Sequence, residues 1–409
     1  MTHATPPLKE MISMLISTPS VSSTQHQFDM SNQGVIDLLA NWLEPLGFDV
    51  QLTPVEGHPG KSNLIARIGS GTNGLLLSGH SDTVPFDEHL WQSDPFAMQE
   101  KDDKWFGLGS CDMKSFFAIA IEAIKPLLNE NLTAPIVILA TADEESSMSG
   151  ARQLAKDHLR DLSRAIIGEP TDLRPITRHK GIMMANLRVQ GTSGHSSEPD
   201  LGINAIEGIH EAIAELMRYR LELKGQYSDP HFAVSYPTLN FGCIHGGDNP
   251  NRICDHAELE FDLRNLPSMD MTDFIDDMQA RIKSRLPQYS VSLKLLHEPV
   301  PAFENPDSEL AKDIHAELLA SAGNLDDSAT RDDNSNDNAS DDPTMTSVAF
   351  GTEAPFLGAL DLDTVVIGPG SIHQAHQPNE YLPTEQINPA IDLIRSLAGR
   401  QCVTPSTLL

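Results

Sequence analysis

At 409 residues the chain exceeds the size at which one hydrophobic core usually stops growing, so two domains are expected. Its 58 acidic against 28 basic residues leave a formal net charge of -30, a field that repels nucleic acid and anionic membranes and excludes both as partners. Apolar residues make up 39% of the chain, enough for sizeable cores, yet the longest unbroken apolar stretch, near Pro135 to Ala140, is far too short to span a bilayer.

The first residues, Met1-Thr2-His3-Ala4-Thr5-Pro6-Pro7, lack the basic start and apolar segment of a secretory signal. Cys111, Cys243, Cys254 and Cys402 are scattered, with no CxxC and no disulfide-like framework. A reducing cytoplasm is the expected location.

A helix is predicted over 8–16 and a second over 34–46, where Val35, Leu38, Leu39, Trp42 and Leu43 recur at helical spacing and Gly47 supplies a C-cap. Strands are predicted over 48–53 and 63–68. Leu75-Leu76-Leu77 then opens a continuous apolar run, the pattern of a strand buried on both faces of a parallel sheet. A strand over 105–108, a helix over 115–128, a strand over 136–140, a helix over 150–158 and a strand over 165–167 follow. After Gly181 the pattern changes to strand 182–190, helix 204–223, strands 238–244 and 257–264, helix 271–286 and strand 290–296. This β-α-β-β-α-β order is ferredoxin-like. Helix 310–321, strand 363–367 and helix 388–400 resume the first pattern.

The expected fold class is α/β: a catalytic domain on a doubly wound, mostly parallel sheet with an inserted ferredoxin-like α+β domain. The expected boundaries are 1–181 and 298–409 for the catalytic domain and 182–297 for the insertion. The Asp/Asn/Ser-rich stretch 324–346 holds too little apolar surface to order itself and reads as a solvated surface insertion.

Polar residues cluster at the expected strand ends, where open α/β sheets present their sites. They are His80 and Asp82, Asp112, the adjacent Glu144 and Glu145, Glu169, and His376 with His373 nearby. A carboxylate two residues after a histidine can bond the second nitrogen of a metal-bound imidazole. Zinc takes imidazole and carboxylate ligands, and a hydrolytic site keeps a position for water. Two histidines and three carboxylates suit a pair of ions about 3.5–4 Å apart with one carboxylate bridging. Glu144 and Glu145 cannot both play one role from a regular strand, so one ligates while the other faces substrate as a base. Each acid alone would be an ordinary surface charge; together they point to a metal centre.

The segments Gly79-His80-Ser81-Asp82-Thr83-Val84-Pro85, Cys111-Asp112-Met113-Lys114, Thr141-Ala142-Asp143-Glu144-Glu145, Gly168-Glu169-Pro170 and Ser193-Gly194-His195-Ser196-Ser197 resemble the dinuclear zinc aminoacylase/carboxypeptidase G-type metallopeptidase family. Gly351-Thr352-Glu353-Ala354-Pro355-Phe356, Gly368-Pro369-Gly370-Ser371 and His376-Gln377-Pro378-Asn379-Glu380-Tyr381 extend the resemblance over nearly the whole chain. It implies a cytoplasmic, homodimeric amide hydrolase with two divalent ions, zinc first and cobalt or manganese possible, acting on a small N-acylated amino acid. His80 and Glu169 would ligate one ion, Glu145 and His376 the other, and Asp112 would bridge. Asp82 would orient His80, and Glu144 would be the general base. His195, on the inserted dimerisation domain, would reach the partner's site and stabilise the oxyanion. Arg252 or Arg264, with Asn251, is the candidate for the substrate carboxylate, because a guanidinium fork matches it bidentately. Glu353 is the candidate for the substrate's ammonium. Ser115 and Cys111 depart from the family's usual Gly and Ala or Thr, touching packing and no ligand. A succinyl-diaminopimelate desuccinylase or a broader aminoacylase or dipeptidase is the alternative activity, and a catalytically silent metal-binding scaffold on the same fold is the alternative class.

Overall fold

The run Leu75-Leu76-Leu77 is fully buried, at the middle of a mixed sheet, in a computed structural model that describes residues 5–322 and 346–404. Its strand, Gly74–His80, lies parallel to Ile136–Thr141 on one side and to Leu162–Ile167 on the other, and Asp363–Val366 continues the parallel set beyond Leu162–Ile167. Antiparallel strands flank this centre. Ser62–Ile68 and Asp49–Pro54 extend one side, Ile176–His179 and Phe303–Glu304 the other, and Thr346–Val348 pairs parallel with Ile176–His179. Parallel neighbours need a long crossover connection, and the short link from Pro54 to Ser62 cannot supply one. The expected sheet is therefore parallel at its centre and antiparallel at its margins.

Alternation along the strands divides the core between the two faces. Leu75, Leu77, Ile136 and Ile138 meet the helices Leu8–Ile16, Gln33–Leu43, Ser115–Ile124 and Ile387–Cys402, with Leu310 and Ile314 of Glu309–Ala322 in the same cluster. Leu76, Val137 and Leu139 face the other way, under the short helix Ala354–Gly358 and Leu159. Burying each such side chain contributes about 1.5–3 kcal/mol. The helix expected over 150–158 shrinks to Ser149–Arg152. Leu154 bonds the Ala151 carbonyl, and the Ala155 N–H that a longer helix would send there goes to the His158 imidazole instead.

Four antiparallel strands make the second sheet, in the order Thr238–Gly246, His256–Arg264, Met183–Gln190, Ser290–Leu295. Ala205–Gln226 presents Ile209, Ala212, Leu216, Tyr219 and Leu223 to it, an alternating three–four spacing along one helix face. Asn204 caps that helix, its side chain accepting the Ile206 N–H at 3.0 Å. Helix Met271–Arg285 completes the ferredoxin-like unit, whose core is separate from those of the large sheet. The acidic stretch 324–346 lies outside the described residues except for Thr346.

Candidate metal centre

The four central parallel strands of the large sheet point their C-terminal ends at one place. Gly74–His80 ends in His80; Glu144 and Glu145 follow Ile136–Thr141; Glu169 follows Leu162–Ile167; the loop after Asp363–Val366 carries His376. Asp112 arrives on the loop between Lys104–Phe106 and Ser115–Ile124. The helix that follows this loop packs close because residue 168 is glycine: a Cβ there would sit 2.1 Å from the Phe116 ring.

His80 Nε2 is 3.0 Å from Asp112 Oδ1 and 4.0 Å from Glu169 Oε1. His376 Nε2 is 3.0 Å from Glu145 Oε2 and 3.5 Å from Asp112 Oδ2. His80–Asp112–Glu169 and Asp112–Glu145–His376 each bring their ligand atoms within 4.8 Å of one another, as does His80–Glu144–Glu145. Asp112 belongs to the first two groups and turns a different oxygen to each imidazole. Of the two nearby histidines it is His376 that joins a group; its φ of 59° is a left-handed backbone uncommon outside glycine. His373 instead lines a neighbouring cavity with Pro170 and Ser371.

Asp82 serves two partners. Its backbone carbonyl lies 3.1 Å from His80 Nδ1 and its Oδ1 3.7 Å from the same nitrogen. Its carboxylate accepts the N–H groups of Glu144 at 3.2 Å and Glu145 at 3.1 Å. An Nδ1–H donated to that carbonyl leaves Nε2 with the lone pair a cation needs. The turn before Glu144 is braced from below. Asp143, at φ 58°, accepts from Lys61 Nζ at 2.6 Å, Ser22 Oγ at 3.0 Å and Ser149 Oγ at 3.3 Å. Lys61 is itself buried and also bonds Asp29 at 2.8 Å. Nothing in the sequence pattern singles out Lys61.

The electrostatics test whether this donor set suits divalent cations. Burial, with Glu169, Glu145 and Glu353 nearby, holds Glu144 well above the ordinary carboxylate range. Burial and Asp112 do the same to Glu169. Burial pushes Asp82 up to about 6 and Glu353 to about 7. Burial opposes a charge on His80, yet the bond to Asp112 and the charge of Glu169 outweigh it and raise the imidazole. His376 rises to about 11 through its bonds to Asp112 and Glu145. Burial works against Asp112 too, but the two histidines hold it low. So many acids gathered in one cleft repel one another, and protons or cations must offset them. The set fits two cations.

Groups with raised pKa hold protons near neutrality that a cation must displace, so affinity rises with pH and is lost in acid. Adding zinc to metal-free protein at pH 7 is expected to release protons. A pH-stat reads this directly, and no release would contradict the ligand set.

His195 bonds Ser197 Oγ at 2.8 Å, Arg252 pairs with Asp248 at 3.1 Å, and Arg264 with Asp262 at 2.9 Å. These contacts, and that of the Asn251 carbonyl with the Ser196 N–H, stay within the ferredoxin-like unit. The structure does not gather these residues with the ligands. Glu353 is gathered: it is 1% exposed, interacts electrostatically with Glu144 and Glu169, and its Oε1 has no hydrogen-bond partner among the described residues. A cavity of about 340 Å³ lined by Glu144, Glu145, Ser22, Met184 and His297 opens between the two units beside the cluster.

Residues 76–400 match the family model of peptidase family M20/M25/M40. The chain belongs to that family. It is 45% identical over 401 residues to an acetylornithine deacetylase of Proteus mirabilis (strain HI4320), covering 97% of each chain. It is 46% identical to an acetylornithine deacetylase of Pasteurella multocida (strain Pm70), over 97% of this chain and 98% of the other. Among solved structures a tripeptidase of Staphylococcus aureus superposes with a TM-score of 0.73 at 20% identity, over 96% of this chain and 98% of that one. Human carnosine dipeptidase 1 gives 0.68 at 15% identity, covering 96% of both. At such identities these two likenesses speak for the fold alone. On this fold the described residues gather three groups of His, Asp and Glu side chains that could hold a cation, two of them sharing Asp112.

Proposed function

We propose that the chain is a two-metal amidohydrolase that cleaves N2-acetyl-L-ornithine to L-ornithine and acetate, an acetylornithine deacetylase of arginine biosynthesis. The observation that carries the chemistry is Asp112, shared by two ligand groups beside the half-buried Glu144. The substrate rests on relatives of that name, 43–46% identical over nearly the full length. His80 and Glu169 would hold one ion, Glu145 and His376 the other, with Asp112 between. When bound, the two ions supply a Lewis acid for the carbonyl and bring the pKa of a coordinated water toward neutrality.

Glu144, held by the Asp82 carboxylate through its N–H, takes the proton of the attacking water and passes it to the departing nitrogen. Glu353 meets the substrate's ammonium, since its buried, unpartnered oxygen gains a donor by doing so. Asn251 with Arg252 or Arg264 receives the substrate's carboxylate once the two units close on it. The catalytic domain comprises 1–181 and 298–409, and 182–297 is the inserted dimerisation domain. The enzyme works in the cytoplasm, a placement supported by four free cysteines; no helix among the described residues is long and apolar enough to cross a membrane.

The substrate is tested by kcat/KM on metal-reconstituted enzyme for N-acetylornithine, succinyl-diaminopimelate and dipeptides. N-acetylornithine should lead. A lead for either of the others would move the assignment to a desuccinylase or a dipeptidase, and no turnover of any would favour the silent scaffold.

His195 acts across a homodimer in this reading, where it donates to the oxyanion in the partner's site. Its exposure, with the exposed apolar Ile206, Leu221 and Ile244 on the same unit, supports a face that another copy covers. His195→Ala and Glu144→Ala chains, each inactive alone, should regain activity when unfolded and refolded together, because a mixed dimer rebuilds one intact site. Absence of rescue in a verified heterodimer counts against action across the interface.

A further inference from the structure

Glu380 is a carboxylate for which the reaction has no step. Its side chain is almost wholly buried, and both oxygens are occupied by the main chain of the loop that bears Asp112. Oε1 accepts the N–H of Cys111 at 2.7 Å and that of Asp112 itself at 2.9 Å; Oε2 accepts the N–H of Gly109 at 3.1 Å. The Glu380 backbone carbonyl takes the Gly107 N–H at 3.0 Å. One residue thus collects four donors from a loop more than 260 positions earlier. The next residue, Tyr381, pairs with Phe106 in the strand that leads into that loop. Burial pushes Glu380 up to about 8, while the three N–H donors and the fully buried Lys114 of the same loop, whose Nζ bonds the Thr18 carbonyl at 2.9 Å, favour its charged form.

His376 stands four residues before Glu380 on the same loop. The clamp therefore joins the segment that delivers Asp112 to the segment that delivers His376. Those two residues are two of the three groups in the Asp112–Glu145–His376 site, whereas His80–Asp112–Glu169 shares only Asp112 with the clamp. We propose that Glu380 is a positioning residue that locks Asp112 against His376 and so sets the affinity of the cation site formed with Glu145. The inference rests on the two-metal reading above.

Charge-assisted bonds to main-chain N–H groups are short and directional, and a carboxylate offers two oxygens to three such donors. Glutamine keeps the shape but turns an amide N–H2 toward the Gly109 N–H, donor against donor. Alanine abandons all three. A graded loss follows, with Glu380→Gln milder than Glu380→Ala.

The experiment is cobalt titration of the full-length chain with a competing chelator, following the visible bands of each bound ion. Wild type should take up two ions. In Glu380→Ala one ion, the one that is also lost from a His376→Ala chain, should fall roughly 10–100-fold in affinity, the range for an outer-shell partner, while the other stays within about threefold. Glu380→Gln should fall between, and it carries the test if the alanine variant does not fold. Equal weakening of both ions, or no weakening in a folded variant, would overturn the proposal, because a merely structural role lowers Tm without separating the two sites. A wild-type chain that binds fewer than two ions would instead remove the two-metal reading beneath it.

Discussion

Glu144→Ala is expected to lower kcat by about 10²–10⁴-fold, the usual contribution of a positioned general base, with two ions still bound. The surroundings divide the adjacent acids: Glu145 faces His376 at 3.0 Å and Asp112 shares that histidine, while Glu144 feels the charges of His80, Glu169, Glu145 and Glu353. Glu144 also stands with His80 and Glu145 in a group able to ligate. Metal content measured beside kcat therefore separates the roles. A base variant retains both ions with KM little changed, because the lost interaction belongs to the transition state. If an ion departs with the side chain, Glu144 is a ligand and the base must be sought elsewhere. Glu144→Gln, close in shape, guards against a packing artefact.

Asp112→Asn should be the more damaging change for metal binding. It removes the one negative charge that turns an oxygen to each imidazole, at 3.0 Å to His80 and 3.5 Å to His376. The amide also brings an N–H2 into a space meant for a cation. Both ions should weaken by more than about 100-fold, the upper end for loss of an outer-shell partner, and turnover should fall with them. Equilibrium dialysis against buffered zinc reads this without reference to activity. Retention of either ion at wild-type affinity would show that Asp112 serves one site only. The contrast with Glu380→Ala is diagnostic: a shared ligand affects two sites, its clamp chiefly one.

Much of this centre is legible in local patterns. The apolar triplets at Leu75 and Ile136 mark buried strands because period and length alone separate them from amphipathic helices. His80, Glu144, Glu145 and Glu169 follow such strands directly, so their placement at strand ends comes with the strands themselves. Helix Ala205–Gln226 is likewise written in its three–four spacing and its Asn204 cap. The failure at 150–158 is equally instructive. Its apolar spacing permits a helix, but the His158 ring takes one amide N–H, and Arg152 binds the carbonyls of Ser147, Glu298 and Pro299. Such contacts leave no periodic trace.

From the amino-acid order alone came the strand and helix types, the ligand chemistry and membership of a metallopeptidase family, since these follow from short-range spacing and residue kind. Folding in three dimensions decided that Asp82 grips two main-chain N–H groups as well as facing His80, and that Glu380 ties together loops 269 residues apart. Each of those outcomes is a hydrogen bond or charge contact of a few ångströms between segments remote in the chain. Their energies exist only once the sheet has brought its strand ends to one cleft.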